Sequence, residues 1–117
     1  MITRITIQQK EELLHWKTRV EKVKEYVSEH MAGDLHISVV CEKFNLNKFT
    51  LQHIFKEQEK ETYRDYVERL RMERAFQLLE EGKWVKEVIP AVGYKNKCTF
   101  NNAFKKRFKH SARFFKK

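Results

Sequence analysis

The chain has 117 residues, 41% of them apolar and 35% charged, which excludes a disordered polar chain and leaves room for one or two small folded domains. Its formal net charge of +9 is unevenly placed: residues 83–117 hold eleven Lys or Arg against one acid, Glu87, while residues 1–82 hold fourteen bases and fifteen acids, so one end is built for a polyanion, nucleic acid before an anionic membrane surface. No apolar run reaches the roughly 18 residues that span a bilayer and no secretory leader pattern is present, while Cys41 and Cys98 lack the spacing of a disulfide framework or a zinc site, so a reducing cytoplasm is expected and no metal or cofactor is.

Residues from about Glu11 to Met31 place Leu13, Trp16, Val20, Val23 and Val27 at 3–4 spacing, predicting an amphipathic helix. Two shorter periodic pieces follow. Ile37, Val40, Cys41 and Phe44 form one stripe, Leu51, Ile54 and Phe55 the next, with only Asn45-Leu46-Asn47 between them. Thr62, with Asp65 three residues on, resembles a capping box. It opens a long helix that points Tyr63, Tyr66, Val67, Leu70, Ala75, Leu78 and Leu79 inward and Arg64, Glu68, Arg69, Arg71 and Glu73 outward. The short-helix pattern then recurs: Val85, Val88, Ile89 and Val92, a Gly93-Tyr94 turn, then Phe100, Ala103, Phe104 and Phe108. Gly33, Gly82 and Gly93 each follow helical periodicity, where a left-handed residue is wanted. Phenylalanines interleaved with the terminal bases, Phe114 and Phe115 included, argue that the basic end is folded.

Two short helices joined by a tight turn, the second with a polar outer face, form the helix-turn-helix pattern, in which the first helix braces the second against a major groove. From about Val20 onward, and over both units, the sequence resembles the DNA-binding domain of the AraC/XylS family of bacterial transcription activators. The most specific stretch is Val92-Gly93-Tyr94-Lys95-Asn96-Lys97-Cys98-Thr99-Phe100-Asn101-Asn102-Ala103-Phe104-Lys105. The first unit agrees through Leu46, Asn47, Leu51, Ile54, Phe55 and Lys56, and the connecting helix through Tyr66, Leu70, Arg71, Ala75, Leu78 and Leu79.

The resemblance implies an all-α fold of two helix-turn-helix subdomains, homeodomain-like, joined by a long linker helix. The expected division is an N-terminal extension (1–19), a first subdomain (20–61), the linker helix (62–82) and a second subdomain (83–117). The extension reads equally as a lengthened first helix, a remnant of a linker to a sensor domain, or a dimerisation element. Two recognition helices would enter successive major grooves about 34 Å apart, spaced by a linker helix of about 30 Å. The resemblance puts Phe49, Gln52 and His53 of the first recognition helix, and Lys97, Cys98, Asn101 and Asn102 of the second, against base edges. Lys48, Lys56, Lys95, Lys105 and Lys106 would meet phosphates. Asn47 and Asn96 read as the N-caps of the two helices.

Plainer readings stand beside these. Phe49 lies between two apolar stripes and also suits a core; His53 also suits an ordinary exposed position; Cys98 reads as a small polar filler ahead of a redox switch. Trp16 and Trp84 read as core or staple residues. Three departures from the family pattern mark the second unit. Ile89 stands where the family has a small alanine, Pro90 falls inside the bracing helix, and Lys109-His110-Ser111-Ala112 replaces Gly-x-Thr-Pro. A kinked, shortened or late-starting bracing helix is expected, since an interior proline costs about 3 kcal/mol.

The function expected is a sequence-specific double-stranded DNA-binding transcriptional regulator, an activator by resemblance, with RNA polymerase as a further partner. The alternative is a nucleic-acid binder held by charge alone. No Ser/His/Asp grouping, HExxH, GxGxxG or P-loop supports an enzyme, and a membrane partner is not expected. The oligomeric state is left open.

Overall fold

The computed structural model describes residues 7–115, with side chains of Glu11 and from Leu14 onward. Among them are seven helices and no strand: α1 (Ile7–Glu29), α2 (Ile37–Phe44), α3 (Lys48–Glu59), α4 (Tyr63–Glu80), α5 (Val85–Ala91), α6 (Lys97–Phe108) and α7 (Ala112–Phe115). The molecule is elongated, 53 × 33 × 22 Å. Helix α1 begins four residues ahead of its expected start, so positions 7–19 are helical. The expected inward side chain of Leu13 lies outside the described residues, as do positions 1–6.

The apolar residues gather into two clusters. Val20, Val23 and Val27 of α1, Val40 and Cys41 of α2, Leu51 and Phe55 of α3, and Tyr63, Tyr66 and Val67 of α4 make the first. Met72, Ala75 and Leu79 of α4, Val88 and Ile89 of α5, Phe100 and Phe104 of α6, and Ala112 of α7 make the second. Helix α4 therefore serves both, and it does so with opposite sides. At about 100° per residue, Tyr63, Val67 and Leu70 lie near one line and Met72, Ala75 and Leu79 near the line facing away from it. A single inward stripe does not describe this helix, which is why Met72 is fully buried although the periodicity had not selected it.

Turn chemistry fixes the short connections. Asn45 (φ 55°), Gly82 (φ 91°) and Gly93 (φ 89°) are left-handed. Behind each, the next amide reaches back five residues: Leu46 N–H to Cys41 O, Lys83 N–H to Leu78 O, and Tyr94 N–H to Ile89 O, at 2.8, 3.1 and 3.0 Å. This is the Schellman closure of a helix. Gly33 corrects the expectation for that position: it is not among the left-handed glycines, and its amide instead closes a short turn on His30 O at 2.9 Å. The N-caps Asn47, Thr62 and Asn96 accept the expected backbone amides.

Helix α5 starts directly behind Trp84 and runs seven residues, against eight in α2. Pro90 is its second-last residue and faces solvent; the amide it lacks is the one that would donate to Lys86 O, so the helix forgoes one bond in its last turn. Ile89 is buried in the second cluster. Trp84 corrects the core expectation: it is 59% exposed. Trp16 is half-buried, with the Arg19 guanidinium 5.3 Å from its ring.

Two lysines occupy left-handed backbone where a glycine would be unstrained, Lys60 (φ 61°) and Lys109 (φ 68°). Both are exposed, so no packing is lost on removing either side chain. An L-residue there costs about 1–2 kcal/mol, and glycine's extra unfolded-state freedom returns part of it. Lys60→Gly and Lys109→Gly should therefore each stabilise by about 0.5–1 kcal/mol and raise the melting temperature by a few degrees. Thermal melts followed by circular dichroism check this; a lower melting point in both variants would refute the strain.

Candidate nucleic-acid interface

Helices α3 and α6 are built alike. Each has twelve residues, opens behind an asparagine N-cap and closes on a left-handed lysine. Asn47 Oδ1 accepts from Phe49 N–H at 2.9 Å and Thr50 N–H at 3.2 Å; Asn96 Oδ1 accepts from Thr99 N–H at 2.8 Å. Counting from the caps, Lys48, Phe49, Gln52, His53 and Lys56 occupy the same positions on α3 as Lys97, Cys98, Asn101, Asn102 and Lys105 on α6. In each case i, i+1, i+4, i+5 and i+8 share one helix face. Lys48 and Lys97, expected in different roles, are thus equivalent in place.

That face is turned to solvent. Phe49 is 77% exposed, which removes the core reading. Gln52, His53, Lys97, Cys98 and Asn102 are exposed and Asn101 is half-buried. Lys48, Lys56, Lys95, Lys105 and Lys106 are all exposed. Asn102 Nδ2 lies 3.9 Å from Cys98 Sγ, a contact weak enough to release for a better partner. On the opposite face, Leu51 and Phe55 of α3 and Phe100 and Phe104 of α6 are fully buried. The buried rows hold the helices so that the polar rows stand outward.

Between the two helices runs a cleft of about 920 Å³. Its α3 side is Lys48, Gln52 and Lys56, and its α6 side is Thr99, Asn102, Ala103 and Lys106. The first segment of α4 and the adjoining turns line it with Tyr63, Arg64, Val67, Glu68, Arg71 and Tyr94. Five basic side chains against the single Glu68 make this cleft electropositive. Of the residues selected from sequence, Gln52, Asn102, Lys48, Lys56 and Lys106 meet at the cleft. Phe49, His53, Lys97, Cys98, Asn101, Lys95 and Lys105 do not line it. Arg64 and Thr99 line it and were missed: Arg64 reads from sequence only as an outer residue of the long helix and Thr99 only as one position of the family stretch.

Arg71 was expected on the outer side of the long helix, and the structure corrects this. Its side chain turns inward: Nε donates to Met31 O at 3.2 Å and Nη2 to Gly33 O at 2.9 Å. The guanidinium also lies 5.9 Å from the Tyr94 ring centroid. Burial draws the Arg71 pKa down, partly countered by Tyr94, and it pushes the Tyr94 and Tyr63 hydroxyls up. Tyr63 donates its hydroxyl to Leu35 O at 2.7 Å. Three alternate carbonyls of the α1–α2 connection are thereby held by side chains of α4. Nothing in local periodicity signals such a contact, which joins residues about forty positions apart.

A family model described as a helix-turn-helix domain matches residues 40–117. The chain is 29% identical over 102 residues to the Msm operon regulatory protein of Streptococcus mutans, a match covering 86% of this chain and 37% of that protein. It is 26% identical over 90 residues to the regulatory protein SoxS of Salmonella typhimurium, covering 76% of this chain and 84% of SoxS. The chain thus spans little more than a third of the first relative and most of the second. Its fold is similar to the C-terminal domain of the response regulator AraT of Geobacillus stearothermophilus, with TM-score 0.79, 23% identity, and 97% and 86% of the two chains covered. It is equally similar to the C-terminal domain of the response regulator yesN of Fusobacterium nucleatum, with TM-score 0.80, 24% identity, and 86% and 99% covered. Among the described residues, no helix is long and apolar enough to cross a membrane. The chain belongs to the AraC-type family of helix-turn-helix DNA-binding transcriptional regulators.

Proposed function

We propose that this protein reads a specific double-stranded site by placing α3 and α6 in successive major grooves, with the polypeptide divided as 1–19, 20–61, 62–82 and 83–117. The observation that carries the reading is the equivalence of the two outward faces: same cap, same length, same register, on either side of one electropositive cleft. Phe49, Gln52, His53, Lys97, Cys98, Asn101 and Asn102 face base edges, where amide side chains pair with adenine, lysine reaches guanine and Phe49 packs on a thymine methyl. Lys48, Lys56, Lys95, Lys105 and Lys106 meet phosphates and set the register. Free N–H groups at the starts of α3 and α6 add to the attraction for phosphate. The activator role and a contact with RNA polymerase rest on the family resemblance.

Selection of bound duplexes from a random pool, followed by footprinting, tests the proposal. The expected result is one asymmetric site protected over two successive major grooves, retained against excess random DNA by about 10³-fold or more. Enrichment of no sequence would leave only charge-driven binding and refute it.

A further inference from the structure

The connection between the two helix-turn-helix units is more than α4. At Gly93 the chain is left-handed (φ +89°), and a Cβ there would overlap the Met31 carbonyl oxygen and stand 2.7 Å from the Arg71 guanidinium carbon. The turn of the second unit is therefore in backbone contact with the loop that ends α1. Arg71 closes the junction from below. It donates to Met31 O and Gly33 O in the first unit and stacks on Tyr94 of the second. Tyr94 in turn meets Phe100 of α6 edge-on at 5.7 Å, and it precedes the cap Asn96 by two residues.

We infer that Arg71 and Gly93 are positioning residues that fix how far apart α3 and α6 stand, and hence which spacing of two DNA half-sites the protein accepts. The consequence for DNA rests on the two-groove reading; the junction itself does not. A helix alone holds two units like a rod with a free swivel at each end. Here α4 buries one side in each unit, and the Arg71 fork adds a third point of contact away from both. Two bonds to carbonyls of one loop and a ring face on the other unit leave the guanidinium a single placement. Only glycine lets the second turn approach the Met31 carbonyl. Moving Tyr94 moves the start of α6, because both the cap and the Phe100 contact follow it.

The test has a DNA-free arm and a DNA arm. Spin labels at Glu57→Cys and Arg107→Cys, in a Cys98→Ser background, report the distance between α3 and α6 by pulsed electron resonance. Arg71→Met should broaden the single narrow distribution of the parent while helix content is kept, and Arg71→Lys, which keeps the charge, should restore part of the narrowing. If Arg71→Met does not fold, Arg71→Lys against the parent decides by the same criterion. An unchanged distribution in a folded Arg71 variant overturns the inference. In the DNA arm, with Cys98 intact, the parent should lose about tenfold or more in affinity when one base pair is inserted between the half-sites. Arg71→Met should flatten that penalty, read as the ratio of the variant's own affinities for the two spacings so that the lost cleft charge cancels. A broadened distribution with no spacing penalty in the parent would refute the two-groove reading and leave the junction standing.

Discussion

Truncating Phe104 to alanine is expected to destabilise the protein by about 3–5 kcal/mol, the range for removing a fully buried aromatic side chain. The ring is wholly shielded from solvent and sits among Phe100, Phe108 and Phe115, with centroids 5.7, 4.6 and 5.8 Å away. Partial collapse of the surroundings cannot fill the space of a phenyl ring, so a cavity cost adds to the lost burial. The loss should be uneven along the chain. Phe104 belongs to the second cluster, which shares α4 with the first but no buried side chain. Amide exchange should therefore quicken in α5–α7 well before α1–α3. Two neighbours calibrate the result: Phe108→Ala, half-buried, should cost less. Phe114→Ala, 66% exposed and stacked on His110 at 4.3 Å, should stay within about 0.5 kcal/mol. Equal losses in all three variants, or exchange rising uniformly, would contradict the two-cluster description.

The same series shows what was legible in the sequence. Phe100, Phe104 and Phe108 repeat every four residues, and a stripe that regular has one physical reading, a buried helix face. The caps were legible too, because an asparagine or threonine before a helix acts on amides two or three residues away. The starts of α3 and α6 were legible on those grounds; their ends at Lys60 and Lys109 were not. What escaped depends on distant parts of the chain. Met72 is buried because α4 changes its buried side midway, which follows from where the second cluster lies and not from the helix's own spacing. Arg71 looks solvent-facing by charge alone, yet finds carbonyls of a loop forty residues earlier. Gly33 follows helical periodicity as Gly82 and Gly93 do and was expected left-handed for that reason, but the α1–α2 connection turns on His30 O instead. Trp84, large and apolar, is the N-cap residue of α5, so its position follows from where that helix starts.

The interface was legible as a face but not as a cleft. The family resemblance selects Gln52 and Asn102, both of which are exposed, and the fold adds that both line the space between α3 and α6. Arg64 and Thr99 share that lining. Neither was given a role in DNA contact, because the cleft exists only once α4 sets two distant helices side by side.

Gln52→Ala and Asn102→Ala are expected to produce the largest losses of specific DNA binding, each about 10- to 100-fold on the selected site, the range for one amide–adenine pair. Both side chains are exposed, so folding should change by no more than about 0.5 kcal/mol, and reduced binding will not be disguised unfolding. Affinity for random duplex should hardly move, since neither residue carries charge. The two sit on separate helices in separate units, so their effects should add in free energy and multiply in affinity. The double variant should then approach the level of non-specific binding, which lies about 10³-fold or more below the specific site. Lys106→Ala gives the opposite signature: binding falls alike on selected and random duplex, and the slope of log affinity against log salt drops by about one. Gel-shift titrations on both duplexes at several salt concentrations separate the cases. A ratio of specific to random affinity that Asn102→Ala leaves unchanged would remove α6 from base reading and reduce the second unit to a phosphate clamp.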